Sequence, residues 1–225
     1  MKRFNAFGLI HKALRAMLFD VDLELQQADW NKPEDVRQLI SKLQQVLNAF
    51  EHHAYIEDNY VLPLIAGKDR HLQQELEGEH QQDKILTEAL LEHIEAIQKP
   101  GNPLEKSIHA NAIQYAFHAF VAFNLDHMNK EETTFNRVLW QYYSDEEIMA
   151  VNEQISKMIE PASRENGLLW MLRGCNAAEI SMLMQKLEQQ LPAEAFHQFR
   201  KKAVAQVPGK FRYLLQPAEP VHALY

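Results

Sequence analysis

Two short motifs in the sequence combine a histidine with a glutamate at the same spacing. His53 and Glu57 lie four residues apart, and so do His127 and Glu131. Residues four apart on an α-helix project from the same face, about one turn from each other. Each motif therefore places an imidazole beside a carboxylate, a combination of nitrogen and oxygen donors that suits a metal ion.

Two further histidines extend this pair of motifs to a candidate set of six ligands. If the segments carrying them are helices joined by short turns, their distances from the turns predict their depth in the fold. His11 lies 20 residues before Asn31, at the first turn, and His53 lies 22 residues after it. The second hairpin matches to within one residue, and the third differs by five, which a tilt of the helices accommodates. We predict one metal-binding layer formed by His11, His53, Glu57, His80, His127 and Glu131.

The donor types of this set indicate which metal chemistry to expect. Four imidazoles and two carboxylates are enough for two metal ions, with each carboxylate bridging and each ion taking two histidines. Mixed nitrogen and oxygen donors favour iron or manganese, and a single cysteine argues against iron–sulfur or copper(I) chemistry. Ferritin-like sites need Glu-x-x-His on two helices. Only Glu77-x-x-His80 occurs among the motif-bearing segments, so we reject the ferritin-like alternative.

The other seven histidines lack a partner at the right depth and helix face. A lone histidine is more often a surface or capped residue than a ligand, and we predict that role for all seven. They are His52, His71, His93, His109, His118, His197 and His222.

The segments that must position the six residues have the periodicity of long amphipathic helices. No stretch shows the alternation of a β-strand, and Pro, Gly and Asn clusters divide the first part of the chain into four pieces. Short connections make neighbouring helices antiparallel, so we predict an all-α, up-down-up-down four-helix bundle. The predicted helical segments are Phe4–Gln27, Pro33–Ala66, Asp69–Gln98 and Pro103–Tyr143.

The remaining third of the chain is predicted to form a smaller C-terminal helical extension. Ser144 and Glu147 match a capping box, which starts a new helix. Prolines and the region 166–176 divide this part of the chain into three or four shorter helices. The predicted domains are therefore the bundle, residues 1–143, and the extension, residues 144–225, whose role the sequence does not indicate.

Composition and charge exclude several classes of function. The net charge is −8, and no basic face indicates nucleic-acid binding. The first segment is interrupted by His11, Lys12 and Arg15, which is untypical of a signal peptide or a membrane span. We expect a cytoplasmic protein without a membrane partner. Cys175 has Arg173 as its one basic neighbour in the sequence, and we expect an unreactive thiol.

The four motifs together resemble those of hemerythrin-like, or HHE cation-binding, domains over about residues 4–142. The resemblance lies in GLIHKALR, HAYIEDNYVLPLI, EHQQDKILTEAL and LDHMNKEETTF. It implies an antiparallel four-helix bundle with a non-haem di-iron centre, two iron ions with an oxo or hydroxo bridge, and manganese as the alternative metal. Carried over by position, it implies one iron on His11 and His53, the other on His80 and His127, and bridges from Glu57 and Glu131.

One position departs from the oxygen carriers of this family. They have a second histidine on the third helix, one turn after the first, where this chain has Lys84. The chain is similar to the four-histidine variety, as in the hemerythrin-like domain of a mammalian iron-sensing ubiquitin-ligase subunit. Either a coordination position is open or Lys84 fills the space, and both argue against simple reversible oxygen carriage. The C-terminal region is similar to a helical extension of some bacterial members.

Three functional hypotheses are consistent with these residues and this resemblance. The first is a protein that binds or senses dioxygen or nitric oxide, with Tyr60 either a donor near the centre or a core aromatic. The second is an enzyme of peroxide or nitric-oxide detoxification, or of iron–sulfur cluster repair. The third is an iron-responsive module whose extension binds a protein partner. All three need the same ligands, so the sequence does not separate them.

Overall fold

A computed structural model describes residues 3–216, and its regular structure is helical throughout that range. The all-α prediction is confirmed. The last nine residues of the predicted extension, with His222, lie outside the described part. Four long helices come first: α1 Gly8–Gln27, α2 Pro33–Ile56, α3 Arg70–Gln98 and α4 Pro103–Lys130. Five shorter ones come next: α5 Asn136–Tyr142, α6 Asp145–Met158, α7 Pro161–Gly174, α8 Ala177–Gln190 and α9 Ala193–Gln206.

The starts of the long helices follow from local side-chain chemistry. The Asp69 side chain accepts a hydrogen bond from the Leu72 amide and caps α3. Asn102 and Glu105 form a capping box at the start of α4. The first helix begins at Gly8 rather than at the predicted Phe4. The Asn5 side chain accepts hydrogen bonds from the backbone amides of Phe7 and Gly8, which holds the chain in a turn before the helix.

Two predicted helices are interrupted at their glutamates. The α-helix of the second segment ends at Ile56, and that of the fourth ends at Lys130. Each continues as one turn of π-helix, Glu57–Val61 and Glu131–Phe135, in which an amide bonds to the carbonyl five residues earlier. The predicted segments are helical there but not α-helical throughout, because sequence periodicity does not register one inserted residue in a turn.

The chain leaves these two π turns differently. After the first, a 3₁₀ turn covers Leu62–Ile65, where Pro63 cannot donate to an α-helical bond. After the second, the chain returns to α-helix as α5. The two glutamates thus share one local geometry although the segments after them diverge.

The four long helices share one apolar core. Its fully buried members come from every helix, including Leu18, Leu43, Leu90 and Phe117. Polar contacts show the relative directions of neighbours: Lys42 of α2 binds Glu24 near one end of α1, and His53 meets His11 near the other. These two helices therefore run antiparallel.

Helices α7–α9 and the 3₁₀ turn Gly209–Leu215 form a second apolar cluster beside α1. Trp170 of α7 packs against the core of the long helices, and Leu9 of α1 packs against the second cluster. Gly174 lies so close to the Lys12 backbone that a Cβ would overlap the carbonyl oxygen. Helix α1 is therefore covered by the long helices on one side and by α7 on the other.

None of the helices within residues 3–216 has both the length and the apolar character required to cross a membrane.

Candidate metal centre

The structure brings all six predicted site residues into one buried cluster. Their donor atoms form two overlapping groups, in each of which every atom lies within 4.8 Å of the others. The first group is His11, His53, Glu57 and Glu131, and the second is Glu57, His80, His127 and Glu131. Both glutamates belong to both groups, so the cluster consists of two histidine pairs that share two carboxylates.

Distances within the cluster show how the carboxylates join the histidine pairs. Glu57 Oε1 lies 3.0 Å from His53 Nε2, and Glu57 Oε2 lies 3.4 Å from His80 Nε2. Glu131 Oε2 lies 3.3 Å from His11 Nε2 and 3.5 Å from His127 Nε2. Each carboxylate therefore lies between one histidine of the first pair and one of the second, as a bridging ligand would.

The two carboxylates are buried without a hydrogen-bond partner. Glu57 is 2% exposed and Glu131 is fully buried, and none of their four oxygens has a hydrogen bond in the described residues. An ionised carboxylate removed from water needs a compensating charge, since burial alone costs several kcal/mol. Burial raises the pKa of Glu57, but His53, His11 and His80 outweigh it and hold that pKa well below its usual range. The two buried carboxylates therefore need positive charge close to them, from protonated histidines or from metal ions.

The second histidine pair can take up positive charge as a metal ion or as a proton. His80 Nδ1 donates to Asp58 over 2.6 Å, and His127 Nδ1 donates to Glu79 over 2.7 Å. With Nδ1 protonated, each neutral ring has its lone pair on Nε2. The two Nε2 atoms lie only 3.2 Å apart. Two lone pairs at that distance repel, and either a metal ion that both nitrogens bind or a proton shared between them removes the repulsion.

In the first histidine pair, His11 has a carboxylate partner at Nδ1. His11 Nδ1 lies 3.0 Å from Glu132, whose carboxylate also accepts from Arg15 over 2.6 Å. The His53 Nε2 lies 3.1 Å from His11 Nε2. The His53 side chain is 10% exposed, against 0% for His11, and it lines the cavity beside the cluster. His53 is therefore the less enclosed imidazole of its pair.

Protons and metal ions compete for this cluster. Burial lowers the pKa of His11, but its contacts with Glu131, Glu132 and Glu57 outweigh burial and raise the pKa to about 10. Burial likewise lowers the pKa of His80, but its contacts with Glu57 and Asp58 outweigh burial and raise that pKa to about 9. The metal-free cluster consequently holds protons near neutral pH, and a metal ion that binds there must displace them.

A small cavity borders the cluster between α2, α3 and α4. It offers about 10 Å³ to the centre of a water-sized sphere, which is room for about one water. Phe50 and Ala54 form its apolar wall, and Asp83 and Asn124 form a polar edge. The remaining lining residues belong to the cluster: His53, Glu57, His80 and His127.

Lys84 does not fill the space beside the centre. Its side chain is exposed, whereas Asp83 is 8% exposed and lines the cavity. Both positions are about one turn from His80, and the packing of α3 against α4 turns position 83 inward. The Asn124 amide donates to Asp83 Oδ1 over 2.6 Å. Burial raises the pKa of Asp83, and the bond from Asn124 opposes that rise.

Tyr60 belongs to the apolar surroundings of the site. Its half-buried side chain packs against a third cluster that includes Phe7, Ile65 and Phe135. Of the two roles considered for Tyr60, this contact agrees with that of a core aromatic residue.

Sequence reasoning missed the three carboxylates that hold the imidazoles. Asp58 and Glu132 each directly follow one of the two shared glutamates, and Glu79 directly precedes His80. The one indication in the sequence was that each of these acidic residues is adjacent to a predicted ligand. Each of these carboxylates supports a histidine on a different helix, which no local spacing reveals.

The other histidines of the described chain lie away from the cluster. His52 is exposed, and His118 faces Asp22 of α1 at 2.9 Å. His93 and His109 contact each other with ring centroids 5.8 Å apart.

Comparison with known proteins identifies relatives of the four-helix part. The family model of the hemerythrin HHE cation binding domain matches residues 5–139. The chain is similar to F-box/LRR-repeat protein 5 of Mus musculus and of Bos taurus, each 24% identical over 132 residues. That match covers 59% of this chain and only 18% of each relative. No solved structure matches the chain significantly.

Proposed function

The chain belongs to the hemerythrin HHE cation-binding family, and from this premise we propose that it holds two iron ions in the buried cluster. The observation that carries the proposal is the pair of buried glutamates whose four oxygens have no hydrogen bond within the described residues, placed between two pairs of imidazoles. His11 and His53 would bind one ion and His80 and His127 the other, with Glu57 and Glu131 as bridges.

The donor set supports iron as the metal. Imidazole and carboxylate donors together suit iron, and manganese is the closest competitor. The chain's one cysteine, Cys175, contributes to the second apolar cluster and is absent from the metal-binding groups. Asp58, Glu79 and Glu132 hold three of the imidazoles in the tautomer that binds metal through Nε2.

We propose that the loaded centre binds dioxygen or nitric oxide and that the protein senses or stores one of them. A reduced di-iron centre supplies electrons to small ligands of this kind when it is present. The protein's own contribution is a cavity for about one water-sized molecule, with Phe50 and Ala54 as an apolar wall. That size favours a diatomic ligand over an organic peroxide.

We also propose an up-down-up-down arrangement of the four long helices, with residues from 144 onward as a separate extension. The antiparallel contacts of α1 with α2 support it, and so do those of α3 with α4, where Asp83 meets Asn124 and His93 meets His109. The separate apolar cluster of α7–α9 supports the division.

Metal analysis of three proteins tests the centre directly. We expect about two iron ions per chain in the wild type and in His52→Ala, and loss of metal in His53→Ala. The two histidines are adjacent in the sequence, but only His53 reaches the cluster and His52 is exposed. A wild-type protein without metal, or two variants with equal metal content, would contradict the proposal.

The reaction of the reduced protein separates binding from catalysis. After anaerobic reduction, dioxygen or nitric oxide should produce a visible absorption band that disappears when the gas is removed. Rapid irreversible oxidation, or sustained turnover of peroxide or nitric oxide, would instead favour the enzymatic alternative.

A further inference from the structure

The polar edge of the cavity, formed by Asp83 and Asn124, has no role in the proposed ligand set. Asp83 is absent from both metal-binding groups, yet it is buried and lines the cavity that borders them. It is the one lining carboxylate besides Glu57 within the described residues. A buried acidic side chain needs a reason in a protein interior, because burial disfavours its charge.

Asn124 holds Asp83 in place and offers no donor of its own to a ligand. Its amide nitrogen donates to Asp83 Oδ1 over 2.6 Å and to the Phe120 carbonyl over 3.1 Å. An amide has two N–H groups, and these two bonds use both. Asn124 therefore presents only its neutral amide oxygen to a small molecule, and the Asp83 carboxyl is the acidic group at this edge.

We propose that Asp83 is a specificity-determining residue that disfavours anions in the cavity and leaves it to neutral ligands such as dioxygen and nitric oxide. The inference rests on the proposed function, since the cavity serves a ligand only if the centre holds metal. The physical reason is that an acidic side chain presents acceptor oxygens and negative charge. An anion entering the same small space meets like charge, whereas a neutral diatomic molecule does not.

The location of the cavity places Asp83 close to any ligand of the proposed centre. Its walls come from α2, α3 and α4, and it touches both histidine pairs through His53, His80 and His127. With room for about one water, the cavity places a ligand near Asp83, which is one of its lining residues. Lys84, the next residue, is exposed and does not neutralise the carboxyl from inside the cavity.

Azide binding to the oxidised, metal-loaded protein tests this role. Azide is a small anion whose binding to ferric iron is followed by visible absorption, independently of any activity. We expect Asp83→Asn to bind azide at least about tenfold more tightly than the wild type, because the substitution keeps the volume and the acceptor for Asn124 but removes the charge. The matched controls are Glu88→Gln and Lys84→Ala, both exposed positions on the same helix, which should change azide affinity less than twofold.

The outcomes distinguish this inference from the proposed function. If the wild type contains no metal, the proposed centre fails, and the inference that rests on it fails too. If all proteins contain two irons but Asp83→Asn binds azide like the wild type, only the inference is overturned. Loss of iron from Asp83→Asn would also overturn it, because Asp83 would then be a ligand or a structural residue.

Discussion

At the scale of single residues, the centre depends on carboxylates in two different roles. Glu57 and Glu131 have no hydrogen bonds within the described residues and face the imidazoles, whereas Asp58, Glu79 and Glu132 accept from imidazole Nδ1 atoms. The first role supplies charge to a metal ion, and the second orients a ring and increases its basicity. The same side-chain type thus acts differently because its hydrogen-bond partners differ.

Glu132→Gln should weaken metal binding without removing a ligand. Glu132 joins His11 to Arg15 and holds the imidazole in position, and loss of such a contact typically lowers metal affinity about 10–100-fold. Competition with a chelator measures the change. Glu153→Gln on the exposed face of α6 is the control and should behave like the wild type. Equal affinities for the two variants would show that Glu132 does not support His11.

Cys175 should be inert toward thiol reagents in the folded protein. Burial raises the pKa of its thiol to about 12, with Glu179 adding to the rise and Lys12 opposing it. The reactive thiolate is therefore scarce near neutral pH, well below that pKa. We expect reaction with a disulfide reagent to be slow in buffer and fast in denaturant. Fast reaction of the native protein would contradict this expectation.

At the scale of helices and turns, the two π-helical turns lie at the candidate metal centre. Both begin at a shared glutamate, Glu57 or Glu131, and both follow a histidine four residues earlier. Single π turns within α-helices often occur at functional sites. Here Asp58 and Glu132 are the second residues of the two π turns, and each reaches a histidine on another helix.

The contact of α7 with α1 can be tested by two glycine substitutions in one helix. A Cβ at Gly174 would overlap the Lys12 carbonyl, whereas a Cβ at Gly167 has open space around it. We expect Gly174→Ala to lower the free energy of unfolding by about 1–3 kcal/mol through overpacking. Gly167→Ala should raise it by about 0.5–1 kcal/mol, because alanine favours a helix. Denaturant unfolding measures both, and similar effects would contradict the close α1–α7 contact.

At the scale of the whole molecule, α1 links two apolar clusters. It carries His11 on the side of the long helices, while Leu9 and the Lys12 backbone contact the cluster of α7–α9. The proposed metal ions take ligands from α1, α2, α3 and α4 and from the π turns that continue α2 and α4, so metal binding and packing of these helices are linked. The extension contributes none of the six residues.

Removal of metal should therefore loosen the long helices more than the extension. A ligand at about a thousandfold excess over Kd adds about 4 kcal/mol of stability, or about 8–16 °C in Tm for a chain of this size. We expect chelation to lower Tm by that amount. Amide exchange should increase in α1–α4 and change little in α8. An unchanged Tm would contradict the link between metal and fold.

The sequence by itself determined the helices, the two His-x-x-x-Glu motifs and the six residues that meet in the cluster. These follow from spacing within a helix, where local geometry decides which side chains share a face, and from distances to the turns, which set the depth of His11 and His80. The tertiary structure decided that Asp83 rather than Lys84 faces the cavity and that Asp58, Glu79 and Glu132 support imidazoles. It also decided the π turns at the two glutamates. Those features depend on the rotation of each helix against its neighbours, which is set by contacts between residues far apart in the chain.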